Sequence, residues 1–159
     1  MSLDHSITIA IEGDCPAADE TDLRAVVERA LAAEGVAEAV AIGVVLVDDE
    51  AIHQLNRDYL NHDEPTDIVT FPLDGDDDFI AGPGGMRREL GEMYISFERA
   101  AAQSADWGSD QEREIRFLVV HGVLHLLGWD DATTEERERM LARQGEILAD
   151  WVPLRRVAR

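Results

Sequence analysis

Residues 115–127, Ile-Arg-Phe-Leu-Val-Val-His-Gly-Val-Leu-His-Leu-Leu, are apolar at nine of thirteen positions, which leaves no polar stripe wide enough to face water. A helix of that kind has to run through the core of a domain. Ser109, with Glu112 three residues on, supplies a capping-box start for it, and Gly128 supplies the stop. A second segment, residues 40–47, is a near-continuous β-branched run, the pattern of a central strand buried on both faces. A buried helix and a doubly buried strand together call for helices packed over a sheet. The 159 residues of the chain are enough to close one such core without disulfide or metal staples.

The other periodicities fill in that frame. Residues 6–11 alternate and read as a first strand, ended by Gly13 and Pro16. Leu23, Val26, Val27, Ala30 and Leu31 form one apolar stripe on a helix closed by Gly35. Asp48 offers an N-cap to a helix carrying Ile52, Leu55 and Tyr59 inward, and Pro65 stops that region. Residues 68–71 make a short strand ended by Pro72, residues 91–96 a fourth strand, and residues 97–105 a short helix. Thr133 with Glu136 opens a last helix through Met140, Leu141, Leu148 and Trp151. Residues 74–88 hold four Gly and four Asp with little periodicity and read as a solvated loop. No internal repeat or linker divides the chain, so residues 1–159 are expected to form a single α/β or α+β domain.

Charge narrows the function. Thirty-four acidic residues against fourteen basic ones give a net charge of -20, and every basic residue is Arg. Such a surface argues against a broad nucleic-acid-binding face, and DNA is not an expected partner. It leaves room for a local site where a metal and a few Arg outweigh the general field. No apolar stretch approaches the roughly 20 residues of a membrane span, so a membrane partner is not expected. Cys15 is the one cysteine and cannot form an internal disulfide, which fits the cytoplasm.

Inside the apolar helix stand His121 and His125. Four residues advance a helix by one turn plus a small angle, so both imidazoles project from one face, one above the other, and can grip one metal ion. In apolar surroundings each ring nitrogen needs a partner, which makes the pair hard to account for as filler. Gly128 can turn the chain back so that Asp130 or Asp131 approaches them. Two His and one carboxylate leave tetrahedral zinc an open position, the arrangement of a catalytic site. Position 122 is Gly, so the Glu that serves as base in His-Glu-x-x-His metallopeptidases is missing.

Those residues, His121-Gly122-Val123-Leu124-His125 followed by Gly128-Trp129-Asp130-Asp131, resemble the YbeY family of bacterial metal-dependent endoribonucleases, the rRNA maturation factors. The family motif is His-Gly-x-Leu-His-x-x-Gly-Tyr-Asp-His. Two further segments agree in order and spacing. Residues 56–71 contain Tyr59, Asp63 and Pro65-Thr66-Asp67 and run into Phe71-Pro72, and Leu90-Gly91-Glu92 opens the strand that ends at Ser96. The chain departs from the pattern at Asp131, where the family usually has a third His, and at Leu60, where it commonly has Arg.

The resemblance implies a mixed four-stranded sheet with about five helices and a buried metal-binding helix. It implies one divalent metal, zinc foremost, held by His121, His125 and Asp131, with Asp130 a candidate for orienting a ligand or transferring a proton. It implies hydrolysis of single-stranded RNA in the 3′-end maturation of ribosomal RNA and in ribosome quality control, with ribosomal proteins or assembly factors as partners. Arg57, His62, Arg87 and Arg88 are candidate substrate contacts. The alternatives are a zinc hydrolase of peptides or small molecules and a non-catalytic ribosome-assembly factor.

Overall fold

A computed structural model describes residues 4–63, 66–73, 79–82, 85–106, 108 and 110–149. The described elements are β1 (Ser6–Ile11), α1 (Glu20–Ala33), β2 (Val40–Val47), α2 (Asp49–Leu60), β3 (Ile68–Pro72), β4 (Phe79–Gly82), β5 (Gly85–Ser96), α3 (Phe97–Asp106), α4 (Gln111–Leu126) and α5 (Thr134–Leu148). Four strands form the expected mixed sheet in the order β1-β2-β5-β3, with β1, β2 and β5 parallel and β3 antiparallel to β5. β2 lies in the middle and is buried along most of its length, as its composition requires.

The reading of residues 74–88 as loop needs correction. A fifth strand, β4, pairs antiparallel with the first part of β5 from Phe79↔Arg88 to Gly82↔Gly85, on the side of β5 away from β2. β5 therefore begins at Gly85 and runs twelve residues, where the sequence suggested a start at Gly91. β4 and the start of β5 fall inside the stretch rich in Gly and Asp, whose composition conceals them. Where β5 passes Gly91, at φ +129°, the register with β2 shifts by one residue. Any Cβ there would collide with the Phe71 carbonyl oxygen, so the two strands can approach only at glycine.

One face of the sheet carries the main core, in which α1, α3 and α5 surround α4. The other face meets α2 through Ile52, Val47 and Val69. Two inward assignments fail: Tyr59 is 68% exposed at the last turn of α2, and Leu141 is 50% exposed on α5. Pro65, Ser109 and Trp151 lie outside the described residues. The cap of α4 is Asp110, one residue later than Ser109, its carboxylate accepting from the Arg113 N–H at 2.8 Å. Among the described residues no helix is long and apolar enough to cross a membrane.

Candidate metal centre

α4 is pressed directly onto the sheet at Gly122. A Cβ there would collide with the Met93 sulfur of β5 and lie 3.1 Å from Ile68 Cδ1 of β3. This close approach accounts for Gly at the position where a metallopeptidase would place its glutamate. It also fixes the rotation of the helix, which sends His121 and His125 toward its partly exposed side, their rings 4.5 Å apart. Burial lowers the pKa of His121 below its ordinary 6.5, the hydrogen bond with Gln144 partly offsets it, His125 adds to the lowering, and Asp131 and Asp67 act weakly upward. The neutral imidazole, the form that binds metal, is thereby favoured.

The end of α4 brings in the carboxylate. Gly128, at φ +104°, donates its N–H to the His125 carbonyl, and Trp129 donates to the Leu124 carbonyl, each at 3.0 Å. This paired closure satisfies the last helical carbonyls and reverses the chain, as a left-handed glycine at that position allows. Asp131 Oδ2 is carried to 3.2 Å from His125 Nε2 and 3.6 Å from His121 Nε2. The same turn places the Trp129 carbonyl 3.1 Å from His125 Nδ1. A carbonyl only accepts, so Nδ1 carries the proton and Nε2 keeps its lone pair.

The two Nε2 atoms are 3.0 Å apart, and the ligating atoms of His121, His125 and Asp131 all lie within 4.8 Å of one another. Acceptors converging this closely repel unless a cation or proton lies among them. The donor set of two imidazole nitrogens and one carboxylate oxygen suits zinc, and its oxygen also admits manganese or iron. Side-chain exposures of 19%, 22% and 38% leave the cluster open on one side, which a closed structural cage would not be.

Asp130 is exposed and contributes no atom to this cluster. Arg57, exposed on α2, lies 3.5 Å from Asp58. His62 is exposed, with its backbone N–H on the Asn56 carbonyl. Arg88 lies 3.5 Å from Glu38 and lines a groove with Leu126 and Leu127 beside the end of α4. Arg87 sits opposite Ile80 in the β4–β5 pair.

Three residues of the surroundings carry roles that the sequence did not assign: Gln144 beside His121, Asp67, named only as part of the family pattern, and Glu114, which meets the site only through Asp67. Gln144 of α5 meets His121, its Oε1 lying 3.1 Å from Nδ1. It shares the inward row of Met140 and Ile147, so a polar residue on an apolar stripe was the available signal. Asp67, just before β3, accepts from Gln103 at 3.1 Å. Glu114 lies two turns before His121 on α4, and burial raises its carboxyl pKa above 4.5, with Asp67 adding to the effect.

The family described as Endoribonuclease YbeY matches residues 10–152. A relative named Endoribonuclease YbeY from Symbiobacterium thermophilum is 45% identical over 129 residues, covering 80% of this chain and 83% of that protein. One of the same name from Moorella thermoacetica is 43% identical over 150 residues, covering 91% and 95%. The solution structure of TM1509 from Thermotoga maritima superposes with a TM-score of 0.59 at 26% identity, covering 91% of each chain. With the match running from β1 past α5 and through the whole His121-to-Asp131 segment, the chain belongs to the YbeY family.

Proposed function

We propose that this protein is a metal-dependent endoribonuclease that cleaves single-stranded RNA in the cytoplasm, in the 3′-end maturation of ribosomal RNA and in ribosome quality control. The observation that carries this reading is the convergence of two imidazole lone pairs and one carboxylate at a partly open surface, in a chain whose relatives bear the name endoribonuclease. His121, His125 and Asp131 would hold one divalent ion, zinc foremost. Such an ion supplies Lewis acidity toward a phosphoryl oxygen and lets hydroxide form near neutral pH.

The chain's own residues set the rest. The Trp129 carbonyl holds the His125 ring with Nε2 facing the cluster. Asp130, exposed beside Asp131, is our candidate for handing a proton to or from solvent. Arg57, His62, Arg87 and Arg88 are candidate phosphate contacts, and ribosomal proteins or assembly factors are candidate partners. Residues 1–159 act as one catalytic domain on this reading. The test is cleavage of a single-stranded RNA and of its perfect duplex by purified protein, with and without chelator. Activity on the single strand should be lost on chelation and return with a divalent ion, and His121→Ala with His125→Ala should remove stoichiometric metal. Cleavage indifferent to chelation, or a preference for duplex, would count against it.

A further inference from the structure

We propose that Gln144 is a positioning residue, which fixes the nitrogen that His121 offers to the metal and so ties metal affinity to the seating of α5 against α4. The inference rests on the metal-centre reading above and is independent of RNA as substrate.

Gln144 is fully buried, in the inward row of α5 between Met140 and Ile147. A primary amide in such a place is costly unless both ends are bonded, and an apolar residue would fill the row at no such cost. Both ends are bonded, and both bonds go to one turn of α4. Its Nε2 donates to the Phe117 carbonyl at 3.1 Å, and its Oε1 meets His121 Nδ1 at 3.1 Å. The Phe117 carbonyl can only accept, so the amide nitrogen has to face it and the oxygen has to face His121. An amide oxygen also only accepts. His121 Nδ1 therefore carries the proton, and Nε2 presents its lone pair to His125 Nε2 at 3.0 Å and Asp131 Oδ2 at 3.6 Å.

The result is a relay in which a backbone oxygen of α4 orients an amide of α5, and that amide orients an imidazole of α4. His125 reaches the same tautomer through the Trp129 carbonyl, part of its own helix end. His121 depends on a different helix. If Gln144 is lost, nothing in this relay holds its ring, and the Nδ1–H is left without its acceptor. Removing partners of this kind typically weakens metal binding ten- to a hundredfold.

Three measurements on the full-length protein test the assignment. In chelator-stripped protein at pH 8, long-range proton–nitrogen correlation should show His121 protonated at Nδ1, and protonation at Nε2 overturns the proposal. Zinc affinity, measured by competition with a chelating dye, should fall at least tenfold in Gln144→Leu while the circular dichroism of the parent is kept. A Kd within twofold of the parent overturns it. Gln144→Glu, which keeps an acceptor for Nδ1, should bind zinc more tightly than Gln144→Leu; equal loss in both would assign the effect to packing and overturn the positioning role. Should Gln144→Leu fail to fold, the tautomer of the parent still decides. A parent that takes up no zinc defeats the metal-centre reading itself, an outcome distinct from a parent and a Gln144→Leu variant that bind alike.

Discussion

Asp131 gives the cluster its charge. A third imidazole would leave a bound ion's two positive charges undiminished, whereas a carboxylate cancels one and supplies a harder oxygen. Asp131→Ala is expected to weaken metal binding and Asp130→Ala to leave it near the parent's, measured by titration against a chelator. The reverse order would place the ligand one residue earlier. Asp131→His should sharpen the preference for zinc over manganese, read from the ratio of the two dissociation constants. Leu60 is the other departure from the family pattern. It is 44% exposed at the end of α2, so an Arg there meets no packing penalty. Leu60→Arg should raise kcat/KM on single-stranded RNA if that position faces substrate phosphates, and an unchanged kcat/KM would show that it does not.

At the scale of elements, α4 combines Arg116, buried 3.5 Å from Asp22 and 3.7 Å from Glu112, with the paired His121 and His125 and a partly desolvated acid. Glu114 lies near its start, where the helix dipole favours negative charge, yet burial and Asp67 prevail and raise its pKa. The folded state therefore holds this proton more tightly than the unfolded state. This group's penalty is fully present above the raised pKa, is relieved as pH falls through it, and is absent below the ordinary 4.5. Glu114→Gln should accordingly raise the urea midpoint at pH 8 and leave it unchanged near pH 4; an equal shift at both would trace the effect to packing. α1, β1, β2 and the body of α4 were legible in the sequence because their burial follows a simple period, and the His pair was legible because helix geometry fixes it, whereas the turn after Gly128 left Asp130 and Asp131 both open and only the family resemblance pointed to Asp131. β4 was hidden because its four residues are too few to show alternation and lie in a stretch rich in Gly and Asp. Tyr59 was misread because it continues the inward spacing of α2 but packs edge-on against Phe71, 5.8 Å away, while keeping most of its own surface exposed. Gln144 was hidden because its partners, Phe117 and His121, are distant in sequence.

For the whole molecule, the net charge of -20 has to be reconciled with a polyanionic substrate. Much of the chain's cationic capacity is already engaged. Arg24, Arg57, Arg88, Arg99, Arg116 and Arg143 each lie within 4 Å of a carboxylate, from Glu20, Asp58, Glu38, Asp49, Asp22 and Glu34 respectively. With thirty-four acidic residues against fourteen Arg, the surface opposes phosphate contact away from one local site, so few counterions are released when RNA binds. A protein making 6–10 phosphate contacts loses roughly 10³ to 10⁵ in affinity between 50 and 200 mM salt. Added salt also screens the repulsion between RNA and the acidic surface, since the Debye length shrinks to about 8 Å at 0.15 M. The two effects oppose each other, and with few contacts neither is large. Over 50 to 200 mM salt, kcat/KM on a single-stranded RNA should change by less than about tenfold, a shallow slope set by the few phosphates this surface can hold. A loss of a thousandfold over that interval would require a cluster of phosphate-binding groups, drawn from Arg residues released from their carboxylates or from the segments around the described residues, and would overturn the picture of substrate held chiefly at one local site.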